Sequence, residues 1–428
     1  MKISSLIGHS TELYNVISKS TFPADLIISR YFRERKYLGS TDRRFISETI
    51  YGVLRNKKRL EYLLEQNNYK SENETIYRII ILFLYFSNKN ISEEELFQVC
   101  SKEEIQSLKI LSKVIPTSTS INEKLSLEYS FPEWLIEKFL LQYSENETEQ
   151  LCQSLNETAP ITLRVNTLKT NPEELSKKLL ENGIPSSSGK YTNLAVLLNK
   201  RINVFSLPFF KDGFFEMQDE GSQIISLLVD PKPSSIVIDA CSGSGGKSLA
   251  MAAIMKNRGE IFALDINEKR LNDIRLRIKR SGADTIRVRK IIENEIPTDL
   301  IEKADYVLID APCSGTGTLR RNPGMKWQLQ EKSIDELRIK QISILNSYSK
   351  LVKIGGKLIY ATCSLLKDEN DNIIDKFLSE NKNYKLIDAS LSLSRYGLEK
   401  LSKDKYLKMS PHLNGTDGFF GAIMEKIK

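Results

Sequence analysis

From the first residue to about 125 the apolar positions recur at three- and four-residue steps: Ala24, Ile27, Ile28 and Phe32, then Phe45, Ile46, Ile50, Val53 and Leu54. That spacing, without strand-like alternation, predicts amphipathic helices gathered into a bundle. Residues 132 to 160 keep the helical pattern until Pro160. ITLRVNTL (161 to 168) then alternates like a strand, and PEELSKKLLENG (172 to 183) reads as a capped helix ending at Gly183, so a small α+β unit, roughly 130 to 210, is expected next. From Ile236 onward short apolar runs (SIVIDA, GEIFALDI, IRVRKII, ADYVLIDAP, GKLIYATC) alternate with helical stretches such as SLAMAAIMK and SIDELRIKQISILNSYSKLVK. Strands alternating with helices predict parallel βαβ units in a doubly wound sheet, which binds its ligand at the carboxyl ends of the strands.

Composition narrows the function classes. The 428 residues are 40% apolar and 27% charged, which suits several folded domains. The longest apolar run, Ile79 to Phe86, is eight residues, against the roughly 20 needed to span a bilayer. The opening MKISSLIGHSTELYNV does not read as a signal peptide; no membrane span and a cytoplasmic location are expected. Five cysteines and two histidines contain no C-x-x-C and no histidine pair, which argues against a zinc site or a disulfide framework. Chemistry is left to carboxylates, lysines or thiols.

The net charge of +7 sits entirely in residues 1 to 60, which hold 12 Lys/Arg against 5 Asp/Glu, while the other 368 residues balance at 50 against 50. A basic cluster on one small domain suits a polyanion such as RNA or DNA, although a basic soluble surface would look the same. A second cluster, Lys269 to Lys290, has nine basic and two acidic residues. There Leu271, Ile274 and Ile278 form an inward stripe, and Arg275, Arg277 and Lys279 are read as a solvated face.

VIDACSGSGGKSLA runs strand, glycine-rich turn, helix, and Gly243, Gly245 and Gly246 let backbone N–H groups approach an anion at the helix N-terminus. A P-loop would need glycine where Cys241 stands, and a dinucleotide fingerprint would need a different spacing. S-adenosylmethionine remains, with Asp265 at the end of the next strand placed to take the ribose hydroxyls. A plain strand-to-helix turn with an exposed aspartate is the competing reading.

Asp310-Ala-Pro-Cys313-Ser and Tyr360-Ala-Thr-Cys363-Ser both follow apolar strands, which puts two thiols on the rim that carries the glycine loop. Cys100 and Cys152 are read as inert buried residues. Carbon 5 of a pyrimidine is too weak a nucleophile to accept a methyl group from a sulfonium until a thiolate adds at carbon 6. Such chemistry needs an attacking thiol, a group that removes the carbon-5 hydrogen, and an acid on the ring edge. Asp310 would supply the last if burial favours its neutral form. The helical stretch DENDNIIDKFL, starting just after Cys363, would lower a thiol's pKa further.

These motifs resemble the RNA cytosine-5 methyltransferases of the Sun type, most closely the bacterial ones acting on small-subunit ribosomal RNA. DACSGSGGKS resembles the family's cofactor loop, DAPCSGTGTLRRNP its proline-cysteine motif and YATCSLLKDEN its threonine-cysteine motif. LRVNTLK (163 to 169), GFFEMQDEGSQ (213 to 223) and TDGFFGAIMEK (416 to 426) resemble flanking segments, and GSTDRRFISETIYGVLR (39 to 55) is similar to a NusB-like domain. The resemblance implies a multidomain chain: an all-α NusB-like RNA-binding bundle (1–125), a small α+β RRM-like linker domain (126–212) and an α/β Rossmann-like S-adenosylmethionine-dependent methyltransferase domain (213–428).

It further implies that Cys363 attacks carbon 6, Cys313 assists product release and Asp310 holds the cytosine edge. The order of the thiols rests on the family alone. Cys241, Ser242, Gly243, Ser244, Gly245, Gly246 and Lys247, with Asp265 and Asp310, are expected around the cofactor. Where the family loop reads Cys-Ala-Ala-Pro-Gly-Gly-Lys, this chain has Ser242, Gly243 and Ser244 in the middle, which bears on cofactor affinity. After the third strand the family's adenine-facing aspartate is missing from KIIENEI, and Glu293 or Asn294 stands in, Glu293 being preferred. The expected partner of this metal-free monomer is small-subunit ribosomal RNA before assembly, its target cytosine exposed or flipped out. The rivals are an RNA-binding assembly or antitermination factor with an inactive catalytic domain, and a P-loop NTPase.

Overall fold

A computed structural model describes residues 1–66, 72–87, 91–111, 113–114, 118, 120–200, 202–293 and 295–428. The chain divides into two compact units: Met1–Glu157 with Leu319–Glu331, and Thr158–Thr318 with Lys332–Lys428.

The first unit is helical. Its longest helix, Ser40–Glu65, buries Ile46, Ile50, Val53 and Leu54, the stripe read from the sequence, in one core with Ile7 and Leu13 of helix Ile3–Ser18 and Ile80 and Leu82 of helix Glu72–Phe86. Helix Glu145–Asn156 starts with a reciprocal cap: the Glu147 amide donates to Ser144 Oγ and the Ser144 amide donates to the Glu147 carboxylate.

Leu319–Glu331 lies far along the sequence from the rest of this unit and completes it. The Arg55 guanidinium donates to the Arg320 carbonyl, and Trp327 Nε1 donates to the Leu54 carbonyl. Lys326 is 1% exposed; its ammonium donates to the Arg55 carbonyl (2.8 Å) and to Asn156 Oδ1 (3.0 Å) and lies 4.1 Å from the Phe131 ring centre. Burial pushes this lysine's pKa well down.

The second unit contains two sheets. The small one is antiparallel, in the order β2 (Ser186–Ser188), β3 (Ala195–Leu198), β1 (Ile161–Val165), β4 (Phe215–Met217). Helix Pro172–Glu181 packs on it through Leu175 and Leu179, capped by Asn171, whose side chain accepts from the Glu174 amide, and followed by Gly183 at φ +68° as the sequence suggests.

In the large sheet β5 (Ser235–Asp239), β6 (Gly259–Asp265), β7 (Ile286–Lys290), β8 (Ala304–Asp310) and β9 (Val352–Thr362) run parallel in the order β7-β6-β5-β8-β9. Their interiors are the five apolar runs of the sequence. β10 (Tyr384–Ile387), β11 (Ser402–Lys403), β12 (Tyr406–Met409) and β13 (Phe419–Lys426) extend the sheet antiparallel from β9. Helices Glu220–Val229, Gly246–Ile254 and Glu268–Ser281 cover one face; Glu331–Ser349 and Asp371–Glu380 cover the other. β5 pairs with both β6 and β8, so the direction of winding reverses there and opens a crevice at the carboxyl ends. Among the described residues no helix is long and apolar enough to cross a membrane.

Lys326→Met removes the donor to Asn156 Oδ1 and to the Arg55 carbonyl, and the cost expected for stranding such buried acceptors is about 1–3 kcal/mol. Chemical denaturation of the full chain, read by circular dichroism, checks it; an unchanged midpoint would contradict the role given to this lysine.

Candidate active site

The glycine-rich turn leaves β5 at Asp239 and enters helix Gly246–Ile254. Gly245 caps that helix at φ +79°, and a Cβ there would come within 2.9 Å of Ile274, so both conformation and space call for glycine. The turn is fastened to β6: the Gly243 amide donates to Asp265 Oδ2 (2.9 Å), and the amide and hydroxyl of Ser242 both donate to the Leu264 carbonyl (3.0 Å each). Asp265, 6% exposed, also accepts from the Asn267 amide at 2.7 Å.

A cavity of about 360 Å³ opens at this crevice, lined by Cys241, Gly243, Asp265, Glu293 and Asp310, with Ile266, Ile292 and Ile344 as apolar walls. Its size and its few convergent polar groups on an apolar surround suit a small-molecule ligand. A Cβ on Gly243 would meet open space, and each Asp265 oxygen, carrying one N–H, has a lone pair left for a hydroxyl. The residues present therefore fit a nucleoside cofactor.

Not every expected cofactor residue lines this cavity. Ser242 turns into the sheet, the Ser244 side chain is exposed, and Gly245 and Gly246 serve the helix start. Lys247 points to Asp310, its ammonium 2.5 Å from Oδ2. Glu293 reaches the cavity with its carboxylate bound to Lys340 Nζ at 2.6 Å, which holds its pKa down. Asn294 lies outside the described residues. Burial raises the Cys241 thiol, reinforced by Asp239, Asp310 and Asp265, so it stays protonated.

The two rim thiols meet, with Cys313 Sγ 3.3 Å from Cys363 Sγ. β8 and β9 are neighbours with Asp310 opposite Ala361, so the loops leaving them start side by side. Close approach continues beyond the sulfurs, because the Gly317 amide donates to the Cys363 carbonyl, and a Cβ on Gly317 would lie 2.8 Å from that oxygen. The bond to Cys363 is the largest cause that raises the Cys313 thiol well above its usual value, followed by burial. Burial acts to lower the Lys247 pKa, but the charge of Asp310 and its hydrogen bond outweigh it, with a net rise.

Three expectations are corrected. Asp310 is not deeply buried: its side chain is 31% exposed and ion-paired with Lys247. The helix after Cys363 starts only at Asp371, with a short 3₁₀ turn, Lys367–Glu369, intervening. Arg277 does not belong to a solvated face. It donates to Glu216 Oε2 from two nitrogens (2.9 and 3.2 Å) and to the Ser244 carbonyl (2.5 Å), while Arg280 donates to Glu216 Oε1. Glu216, 3% exposed on β4, thus anchors the glycine turn through Arg277. A basic residue every third or fourth position gave no sign of this, because the partner lies 61 residues away.

Sequence reasoning also passed over Asp239 and Glu369. Asp239 is 1% exposed; Oδ2 accepts from Ser248 Oγ at 2.6 Å, and Oδ1 has no partner among the described residues. Burial pushes its carboxyl up to about 7, against the lowering bond from Ser248. Unfolded aspartate ionises near pH ~3.9. Between there and about 7 the folded chain holds the extra proton, so this group makes stability fall as pH rises; the cost is absent below the window and complete above it. Its full size is on the order of 4 kcal/mol. Asp239→Asn should therefore flatten the fall relative to the parent chain in denaturation curves taken from pH 4 to 8, and parallel curves would contradict the assignment.

Comparison with known proteins places this geometry in a family. Residues 226–425 match the model for the 16S rRNA methyltransferase RsmB/F, and residues 131–205 match the RsmF/B-like ferredoxin-like domain. The chain is 30% identical to a probable ribosomal RNA small subunit methyltransferase B of Bacillus subtilis, covering all of both chains, and 30% identical to one of Synechocystis over 94% of this chain and 95% of that one. Two solved structures are similar: PH0851 (25% identity, TM-score 0.79, 98% of each chain) and a methyltransferase homolog from Pyrococcus horikoshii (26%, 0.61, 72% of this chain and all of that one). A glycine turn over a cofactor-sized cavity, two touching rim thiols and these matches together make the chain a member of the RsmB/F family of 16S rRNA methyltransferases.

Proposed function

We propose that the protein methylates carbon 5 of a cytosine in small-subunit (16S) ribosomal RNA through a covalent adduct on Cys363. The observation that carries this is the 3.3 Å thiol pair beside the Lys247–Asp310 ion pair at the carboxyl ends of β8 and β9. Bound S-adenosylmethionine supplies an electrophilic methyl group on a sulfonium; Asp265 and the Gly243 turn would hold its ribose and the neighbouring part of the molecule.

The chain's own groups do the rest. The Cys363 thiolate adds to carbon 6, breaking the 5,6 double bond and moving its electron pair towards carbon 5 and the N3 edge. Asp310 holds that edge, and the Lys247 ammonium offsets the charge that develops there. Until the adduct forms, the contact with Cys363 and burial hold the Cys313 thiol above its usual value, and it keeps its proton. Once carbon 5 carries the methyl group that the bound cofactor would supply, Cys313, its own proton released to solvent, takes the carbon-5 hydrogen. The carbon 6–sulfur bond breaks as the double bond returns. The order of the two thiols, Cys363 attacking and Cys313 assisting release, rests on the family resemblance.

The helical unit is proposed to be a NusB-like RNA-binding domain and the β1–β4 segment an RRM-like linker domain. Several of the helical unit's cations are spent internally: Arg35 pairs with Glu12, Arg44 with Glu48 and Lys58 with Glu133. Lys19, Arg33 and Lys36 remain exposed near Phe22 and Tyr37 in sequence, both about two-thirds exposed. Cations interleaved with exposed aromatic rings suit single-stranded RNA.

In Cys363→Ala, methyl transfer to small-subunit RNA and any denaturation-resistant protein–RNA complex should both vanish. In Cys313→Ala, attack remains and release stalls, so a complex surviving denaturing electrophoresis should accumulate, and the double variant should lose it. A trap in the Cys363 variant and none in the Cys313 variant would reverse the assignment.

Replacing Arg33 and Lys36 by alanine should weaken RNA binding and make its log–log salt dependence shallower by about 1.4, from two lost phosphate contacts at ~0.7 each. A slope equal to that of the parent chain would show that these cations do not meet RNA.

A further inference from the structure

The residue after each rim thiol is a buried serine, and both serines bind the same carboxylate. Glu369 is 0% exposed. Its Oε2 accepts from Ser314 Oγ and from Ser364 Oγ at 2.5 Å each; its Oε1 accepts from the Ser314 amide (2.8 Å) and from Gln341 Nε2 (3.0 Å). Ser314 and Ser364 are 3.2 Å apart. Four donors converge on one buried carboxylate, and three of them come from the two cysteine loops.

A buried carboxylate without such donors would be costly, whereas a fully bonded one is directional and rigid. The loops have no other shared charged group at this depth among the described residues. Their backbone contact through Gly317 fixes how near they come, and Glu369 fixes the adjoining serines. We propose that Glu369 is the positioning residue that holds Cys313 and Cys363 as a pair, acting through Ser314 and Ser364. The catalytic meaning of that pair rests on the function proposed above; the geometric role does not.

Glu369 has a second effect that follows from its charge. A buried anion near Cys313 disfavours a thiolate there, and it adds to the bond from Cys363 and to burial in keeping the proton on Cys313. The other ionisable groups around the pair are Lys247 and Asp310 on one side and Tyr360 in β9, whose hydroxyl donates to the Glu369 carbonyl. Glu369→Gln changes none of them and keeps the side chain's length.

The test uses the full chain without RNA or cofactor. Alkylation by iodoacetamide, resolved for each cysteine by mass spectrometry, is followed against pH in the parent chain and in Glu369→Gln. The pH of half-maximal rate for Cys313 should fall in the variant, so that at one pH below both midpoints Cys313 reacts severalfold faster than in the parent chain. A purely packing role would leave that profile unmoved, and superimposed profiles would overturn the proposal. In parallel, bridging of Cys313 to Cys363 by dibromobimane, which fluoresces only after both arms have reacted, should drop severalfold in Glu369→Ala; bridging at the parent rate would overturn it too. Should the alanine variant fail to fold, the glutamine variant still decides. Methyl transfer by the parent chain, abolished or not in Cys363→Ala, tests the function separately from either readout.

Discussion

Everything at the rim depends on one strand register, that of β8 against β9. With Asp310 opposite Ala361, the chain leaves both strands at the same level, and Cys313 and Cys363 follow three and two residues later. A slip of one residue would turn the alternate side chains of a strand to the opposite face of the sheet and part the thiols. The register is held by the apolar interiors of both strands and by β13, which pairs antiparallel along the far side of β9 from Thr362 to Lys357. Gly418, just before β13, donates to the Gly317 carbonyl, so the final strand also braces the Cys313 loop.

Charge is arranged around that rim in buried or half-buried groups, each with a distinct partner. Glu216 receives Arg277 and Arg280, Asp310 receives Lys247, and Glu369 receives neutral donors only. Asp239 is the exception, one oxygen bonded and the other not, and it answers by holding its proton to about pH 7. Paired charge keeps the glycine turn and Asp310 in place, and Glu369 meets only neutral donors beside the thiols.

Local pattern carried much of this architecture. The five parallel strands, the capped helix after Asn171, the glycine turn and the shared rim of two thiols could all be read from runs and spacings, because each reflects the repeat of one element or the chemistry of one turn. Long-range partners could not. Glu369 sits in KDENDN, an acidic stretch that reads as a helix start, and nothing local announces that it accepts from Ser314, 55 positions earlier. Arg277 looked solvated for the same reason. Leu319–Glu331 begins inside the proline-cysteine motif but belongs to the helical unit, where Lys326 and Trp327 are bonded; a basic and aromatic stretch gives no sign of such a destination.

Which of the two thiols attacks carbon 6 can be read from a trapped substrate. Small-subunit RNA carrying 5-fluorocytidine can be attacked at carbon 6 and methylated, but fluorine cannot leave as a proton does, so the adduct persists. After incubation with S-adenosylmethionine, digestion and mass spectrometry of the linked peptide, the nucleotide should be found on Cys363. A nucleotide on Cys313 would contradict the account.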